Sequence, residues 1–131
     1  MENMDSVIER MDFDSFANGE NVIGLEGARR ILATGNCVFL DVRSPEEVRY
    51  NAYPFAVHIP LNELPRRAGE LPRDKCIVPF CSSVFRASVA FLWLSARGFA
   101  EVRTLVAGTE DLATLFKPGM LSSFIDESAG Q

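Results

Sequence analysis

Cys81 and Arg86 are the residues of this chain best suited by type and spacing to covalent chemistry. Cys81 ends the apolar run Cys76–Phe80 and is followed by Ser82, Ser83, Val84 and Phe85, after which Ala87–Arg97 has the character of a helix. A cysteine at the end of a buried strand, one tight loop away from a helix, sits where unpaired backbone N–H groups converge. The first amides of a helix lack intrahelical partners and its dipole adds to them, so such a site favours negative charge. The anion would be the thiolate of Cys81, or a sulfur or oxyanion group attached to it. A thiol so placed is a usable nucleophile near neutral pH. Arg86 either closes the loop and adds positive potential or holds it through a salt bridge, and the local residues leave both roles open.

The other two cysteines carry a different signal. Cys37 precedes Val38–Leu40 and Cys76 opens Ile77–Phe80, so both read as small apolar strand residues. Three cysteines with no Cys-x-x-Cys pair do not make a disulfide framework, and a reducing compartment is expected. A single histidine, His58, and scattered cysteines make no zinc set, so neither a metal nor another cofactor is expected. The start, Met1–Asp5, lacks the basic flank and apolar core of a signal peptide, and Val89–Leu94 is too short to span a bilayer. A net charge of −5 discourages binding to nucleic acid or a membrane surface. With 131 residues, 47% of them apolar, the expectation is one soluble, cytoplasmic globular domain.

The positioning elements alternate. Residues 1–19 are an acidic extension in which Val7, Ile8, Met11 and Phe16 have loosely helical spacing, fitting an amphipathic helix or a partly ordered tail. Val22–Ile23 reads as a short strand, and Leu25–Ala33 as a helix ended by Gly35. Cys37–Val42 is a strand buried on both faces. Ser44, Pro45 and the acids Glu46 and Glu47 together mark a helix start, running to about Asn51 before Pro54. Ala56–Ile59 is a strand, Leu61–Leu71 has helical periodicity interrupted by Pro65, and Lys75–Phe80 is a strand with a suspect Pro79, since proline removes a ladder donor. Trp93 belongs to the buried helix Ala87–Arg97, which Gly98 ends. Val102–Val106 is the last strand and 110–116 a final helix. Such alternation predicts a parallel sheet with helices on both faces, whose ligands bind beyond the carboxyl ends of the strands. Asp41–Arg43 and Cys81–Arg86 both follow strand ends and should share that rim.

Phe39–Glu47, His58–Leu64, Leu71–Val78, Cys81–Ala87, Leu94–Val102 and Leu105–Gly108 occur in an order and spacing that resembles the single-domain rhodaneses, a sulfurtransferase family. The resemblance covers about residues 20–117 and leaves 118–131 as a tail. It implies a five-stranded parallel sheet flanked by helices on both faces. It also implies that Cys81 accepts a sulfane sulfur from a small-molecule or protein donor, becomes a persulfide and passes the sulfur to a thiol or another nucleophile. Ser82, Ser83, Val84, Phe85 and Arg86 would form the loop that binds it. Asp41 resembles the family's strand-end acid, a structural partner of nearby loops, and Arg43 would support it or form an ion pair with Glu46 or Glu47. His58 would be a strand residue with no part in the chemistry.

The chain departs from the family pattern at three places. Val84 stands where a loop glycine is usual, which implies a shifted loop, stored strain or a pocket closed by its methyl groups. Phe85 replaces a polar residue, leaving Arg86 as the loop's one cation, so of the two donors, thiosulfate or a persulfide, a protein or low-molecular-weight persulfide is expected ahead of dianionic thiosulfate. Asn51–Val57 lacks the family's histidine and glycines, and Tyr53 and Phe55 are expected as an apolar wall at the rim. Two other functions fit the residues. A cysteine phosphatase or arsenate reductase would need five residues between cysteine and arginine, where this chain has four. A non-catalytic binding or regulatory module would tolerate Val84 and Phe85.

Overall fold

Two continuous apolar runs lie side by side at the centre of the molecule. β2 (Cys37–Asp41) and β4 (Cys76–Phe80) pair in parallel, from Cys37 opposite Cys76 to Asp41 opposite Phe80. β3 (Val57–His58) pairs in parallel on the other side of β2. All of β4 is buried, as an unbroken apolar strand between two helical layers must be. The structure, a computed structural model, describes residues 3–107 and 111–112.

A second parallel ladder joins β1 (Val22–Ile23) to β5 (Thr104–Leu105). The two ladders meet at one isolated bridge, Ile77 opposite Val102. There the Ile77 N–H donates to the Glu101 carbonyl and the Arg103 N–H to the Ile77 carbonyl, each at 3.0 Å. The expected single five-stranded sheet is therefore found as a three-stranded and a two-stranded ladder. Pro79 gives the physical reason. Along a parallel strand alternate residues bond to opposite neighbours, and Cys76 and Phe80 bond toward the β2 side while Ile77 bonds toward β5. Pro79 is the next residue to face β5, and it has no N–H to offer.

The same alternation separates the core into two layers. Leu40 and Ile77 pack with Leu64, Ala87, Ala90 and Leu94 on one face, whereas Phe39, Cys76, Val78 and Phe80 pack with Ile23 and Ala28 on the other. Helices α5 (Leu64–Arg67) and α6 (Phe85–Ala96) supply the first layer, and α3 (Leu25–Thr34) supplies the second. Trp93 is partly buried against the first. Gly35 ends α3 at φ 71° and Gly98 follows α6 at φ 89°, left-handed conformations that favour glycine. Two 3-10 turns, Leu61–Glu63 and Ala68–Glu70, flank α5, so the helical stretch Leu61–Leu71 is found in three short pieces, with Pro65 in the first turn of α5.

The N-terminal extension forms two short helices, α1 (Met4–Glu9) and α2 (Phe13–Ala17). Asn3 and Asp12 side chains cap them by accepting from the Ser6 and Ser15 amides. Helix α1 packs on α6 and buries Val7. Of the expected helix 110–116, Asp111 and Leu112 alone are described, with Leu112 buried; the rest of it and the tail 118–131 lie outside the described residues.

Candidate functional site

β4 delivers Cys81 and α6 starts four residues later, so the loop between them is Ser82–Val84. Cys81 is 1% exposed, while Ser82, Ser83, Val84 and Phe85 lie on the surface above it. The Ala87 N–H, in the first turn of α6, donates to Cys81 Sγ at 3.3 Å. The thiol itself donates to the Ser83 carbonyl. The Ala87 amide directs its N–H at the sulfur, a donor to any negative charge carried there. Val84 has φ −89° and ψ −16°, and no non-glycine residue among those described has a positive φ. The loop turns into α6 through ordinary right-handed backbone, so the stored strain considered for Val84 is not present.

Arg86 forms a bidentate ion pair with Glu47, Nη1 to Oε1 at 2.6 Å and Nη2 to Oε2 at 3.0 Å. Its Nη2 also donates to Ser82 Oγ at 2.9 Å. The salt-bridge role left open by the sequence is thus realised, and it ties the Cys81 loop to α4 (Pro45–Tyr50). Glu47 is fixed from the other side by the capping box of α4. Its carboxylate accepts from the Ser44 N–H at 3.1 Å and the Ser44 hydroxyl at 2.9 Å, while its own N–H donates to Ser44 Oγ. The Arg86 hydrogen bonds, reinforced by those from Ser44 against the opposing effect of burial, lower the Glu47 pKa to about 2.

Asp41 and Arg43 lie behind this pair and are both almost completely buried. Arg43 donates through Nη2 to Asp41 Oδ2 at 2.7 Å and through Nε to Oδ1 at 2.9 Å, and its backbone N–H adds a third bond to Oδ1. The ion pair expected between Arg43 and Glu46 or Glu47 is therefore not formed. Arg43 turns inward because Asp41, two residues earlier at the end of β2, offers a buried carboxylate on the same side. The guanidinium also donates to the Asn51 carbonyl at 2.7 Å and lies 4.8 Å from the Tyr53 ring centre. His58 Nε2 donates to the Arg43 carbonyl at 2.8 Å, holding the loop after β2.

Tyr53 and Phe55, expected as a wall at the rim, instead join Phe39 and Phe80 in the core, with ring centres 5.6–6.4 Å apart. Asn51 and Ala52 stand at the family's first glycine and histidine, Phe55 at its second glycine, and the Tyr53 and Phe55 rings pack inward, where large rings bury apolar area. The helix-start amides expected around Cys81 are represented by the Ala87 N–H, whereas Glu47 as partner of Arg86 has no counterpart in the sequence reading. The Ser44–Glu47 capping pattern marks a helix start and also holds a carboxylate ready for a second partner, which is the signal in the sequence for the Arg86 pair.

A cleft of about 520 Å³ opens beside Arg86, lined by Val42, Ser44, Pro45, Glu46, Leu61 and neighbouring residues at the carboxyl ends of β2 and β3. A larger cleft, about 730 Å³, is lined by residues such as Arg10, Phe91, Phe99 and Arg103 and by none of the candidate site residues. Among the described residues no group of three His, Cys, Asp or Glu side chains could hold a metal, and no helix is long and apolar enough to cross a membrane.

Residues 25–114 match the Rhodanese-like domain family. A sulfurtransferase of Allochromatium vinosum is 30% identical over 81 residues, covering 62% of this chain and 76% of that protein. A putative sulfur carrier protein of Bacillus subtilis, YrkF, is 39% identical over 72 residues, covering 55% of this chain but 39% of the relative. Among solved structures, a Lactobacillus plantarum protein superposes with a TM-score of 0.66 at 27% identity, covering 87% of this chain and 96% of its own. The human single-domain sulfurtransferase TSTD1 has a TM-score of 0.65 at 24% identity, covering 76% of this chain and 100% of its own, a likeness of fold.

Proposed function

Because the chain belongs to the Rhodanese-like domain family, we propose that it is a sulfurtransferase that carries sulfane sulfur on Cys81 as a persulfide. The observation that carries this reading is the Ala87 N–H directed at Cys81 Sγ at the junction of β4 and α6. In the first half-reaction the Cys81 thiolate attacks the outer sulfur of a donor persulfide. The donor's S–S bond breaks, its thiolate leaves with the bonding pair, and Cys81 holds the sulfur as a persulfide anion. In the second, an acceptor thiolate attacks that outer sulfur, the new S–S bond forms on the acceptor, and the Cys81 thiolate is regenerated. Each step exchanges one thiolate for another with no net oxidation or reduction, and the Ala87 N–H donates at Sγ, where the Cys81 thiolate stands before the first step and after the second.

Arg86 bears on the choice of donor. Its charge is balanced by Glu47, and the Asp41–Arg43 pair is balanced internally. A dianionic donor such as thiosulfate therefore meets little net attraction, which supports a small-molecule or protein persulfide. Ser82, Ser83, Val84 and Phe85 would form the surface that the donor and the acceptor thiol touch, with Asp41 and Arg43 holding the rim behind it.

The test is the intact mass of the protein after incubation with thiosulfate, an organic persulfide and a persulfidated protein in turn. The expected result is a gain of one sulfur from a persulfide donor, absent in Cys81→Ala and reversed by a thiol acceptor. No gain from any donor in a folded protein would overturn the reading and leave a binding module on the same scaffold.

A further inference from the structure

We infer that Glu47 sets the charge selectivity of the Cys81 site, excluding dianionic reactants by cancelling the positive charge of Arg86. The inference rests on the proposed sulfurtransferase reading for its substrates, while its geometry is independent of that reading. Arg86 is the cation of the loop, held to Ser82 Oγ at 2.9 Å. Left alone, it would make the mouth of the site attractive to anions. Glu47 meets both terminal nitrogens of its guanidinium, at 2.6 and 3.0 Å. Both members of the pair remain about one third exposed, 29% and 34% by side chain. The pair therefore faces the solution from which a reactant arrives, and its net charge is what that reactant meets. Once Cys81 ionises, the site as a whole is negative, an arrangement that opposes a dianion more than a monoanion.

Glu47 is also held in place independently of Arg86. The Ser44 N–H and hydroxyl fix the carboxylate within the capping box, so its negative charge is a built feature of the rim. This arrangement allows the charge to be removed with little change of shape. Glutamine at this position preserves the side-chain length, can accept from Ser44, and serves in capping boxes as glutamate does.

Two pairs of reactants differing by one charge test the inference on Glu47→Gln. In the first, thiosulfate and benzenethiosulfonate each transfer one sulfane sulfur to Cys81, releasing sulfite or benzenesulfinate. Cyanide then removes that sulfur as thiocyanate, which is measured. The ratio of kcat/KM for the dianion to that for the monoanion is expected to rise roughly three- to tenfold at low ionic strength, and less at high salt, as expected for one partly screened charge. In the second, Cys81 is alkylated by iodoacetate or iodoacetamide, displacing iodide, and the iodoacetate-to-iodoacetamide rate ratio should rise in the same variant. Ser44→Ala, which disturbs the cap and keeps the Glu47 charge, should lower the melting temperature and leave both ratios unchanged.

Unchanged ratios in Glu47→Gln, or equal shifts in Ser44→Ala, would overturn the selective role. The outcomes separate the two readings. If wild-type protein gains no sulfur from either donor or from an organic or protein persulfide, but its alkylation ratio responds to Glu47→Gln, the sulfurtransferase reading fails and the charge selection stands. Sulfur transfer with no response in either ratio would have the opposite meaning.

Discussion

The Ala87 backbone N–H meets Cys81 Sγ at 3.3 Å, so the strand that ends at Phe80 and the helix that begins at Phe85 share one sulfur atom. Helix starts usually satisfy their amides with a side-chain oxygen at the cap. Here the cap position is Val84, which has no acceptor and forms no such bond. The cysteine sulfur serves the Ala87 amide instead. A cap residue without a side-chain acceptor thereby leaves an amide available to the candidate nucleophile, as the glycine usual at this position would also do.

This setting predicts which thiol reacts. Cys37 is raised to about 12, first by burial and then by the neighbouring Cys76, against a smaller opposing effect of Lys75. Cys76 is raised to about 11 by burial and by Glu101, opposed by Arg103. Both therefore remain protonated thiols at neutral pH, the unreactive form. Peptide mapping after brief iodoacetamide treatment of the native protein should place the label on Cys81, and Cys81→Ala should take up almost none. Early labelling of Cys37 or Cys76 would contradict the assignment.

The Asp41–Arg43 pair should matter for stability more than for chemistry. Both side chains are 3% exposed, and Arg43 further ties Asn51 to the end of β2. Arg43→Ala leaves a carboxylate buried without its counter-ion, a change that costs about 3–5 kcal/mol. Urea unfolding should show a loss on that scale with fluorescence and circular dichroism transitions coinciding. A loss below about 1 kcal/mol, the range typical of exposed pairs, would mean that Asp41 finds another partner or a proton.

The parts legible in the sequence are those specified by neighbours along the chain. β2 and β4 follow from unbroken apolar runs, and the start of α4 from Ser44, Pro45 and Glu47 acting within one turn. Pro79 already signalled a missing ladder donor, and the split between the two ladders is its consequence. The charge pairing was less legible because it depends on topology. Glu47 and Arg86 are 39 residues apart and meet because two strands place their following helices on one rim. Arg43, adjacent in sequence to the acids of α4, points away from them toward Asp41. Aromatic residues gave no directional signal either: Tyr53 and Phe55 suit a rim or a core, and the neighbouring rings of Phe39 and Phe80 decided the matter.

Glu47 should also leave a mark on acid stability. Its folded pKa lies at about 2, below an ordinary value of 4.5, because the Arg86 hydrogen bonds hold the charged form. A depressed carboxylate contributes stability that is fully present above the ordinary pKa and is lost as pH falls through the folded one. The window is therefore between about 4.5 and 2. Because the pair is partly exposed, the contribution should be about 1 kcal/mol or less. Denaturant titrations at intervals across this window should show wild type above Glu47→Gln at pH 6, with the gap closing toward pH 2. A gap independent of pH would assign the difference to packing or capping.

Val84 supplies the sharpest comparison. Its backbone angles, φ −89° and ψ −16°, suit any L-residue, and its side chain is 37% exposed. There is no strained conformation for a glycine to relieve, so Val84→Gly should not raise sulfur transfer from thiosulfate. It should instead lower stability by about 0.5–1 kcal/mol, since glycine has more freedom to lose on folding. Val84→Asp should act on the chemistry directly. Its carboxylate would compete with Cys81 for the Ala87 N–H and oppose the thiolate by like charge. Iodoacetamide alkylation of Cys81 should therefore slow in Val84→Asp and stay within about twofold of wild type in Val84→Gly, where the amide remains available to the sulfur. Measuring both variants alongside thermal melts separates the effects, because the glycine variant loses stability without losing reactivity. A glycine variant markedly faster than wild type with thiosulfate would show that the valine methyl groups obstruct the sulfur. An aspartate variant that reacts at the wild-type rate would show that the Ala87 amide contributes little to the reactivity of Cys81.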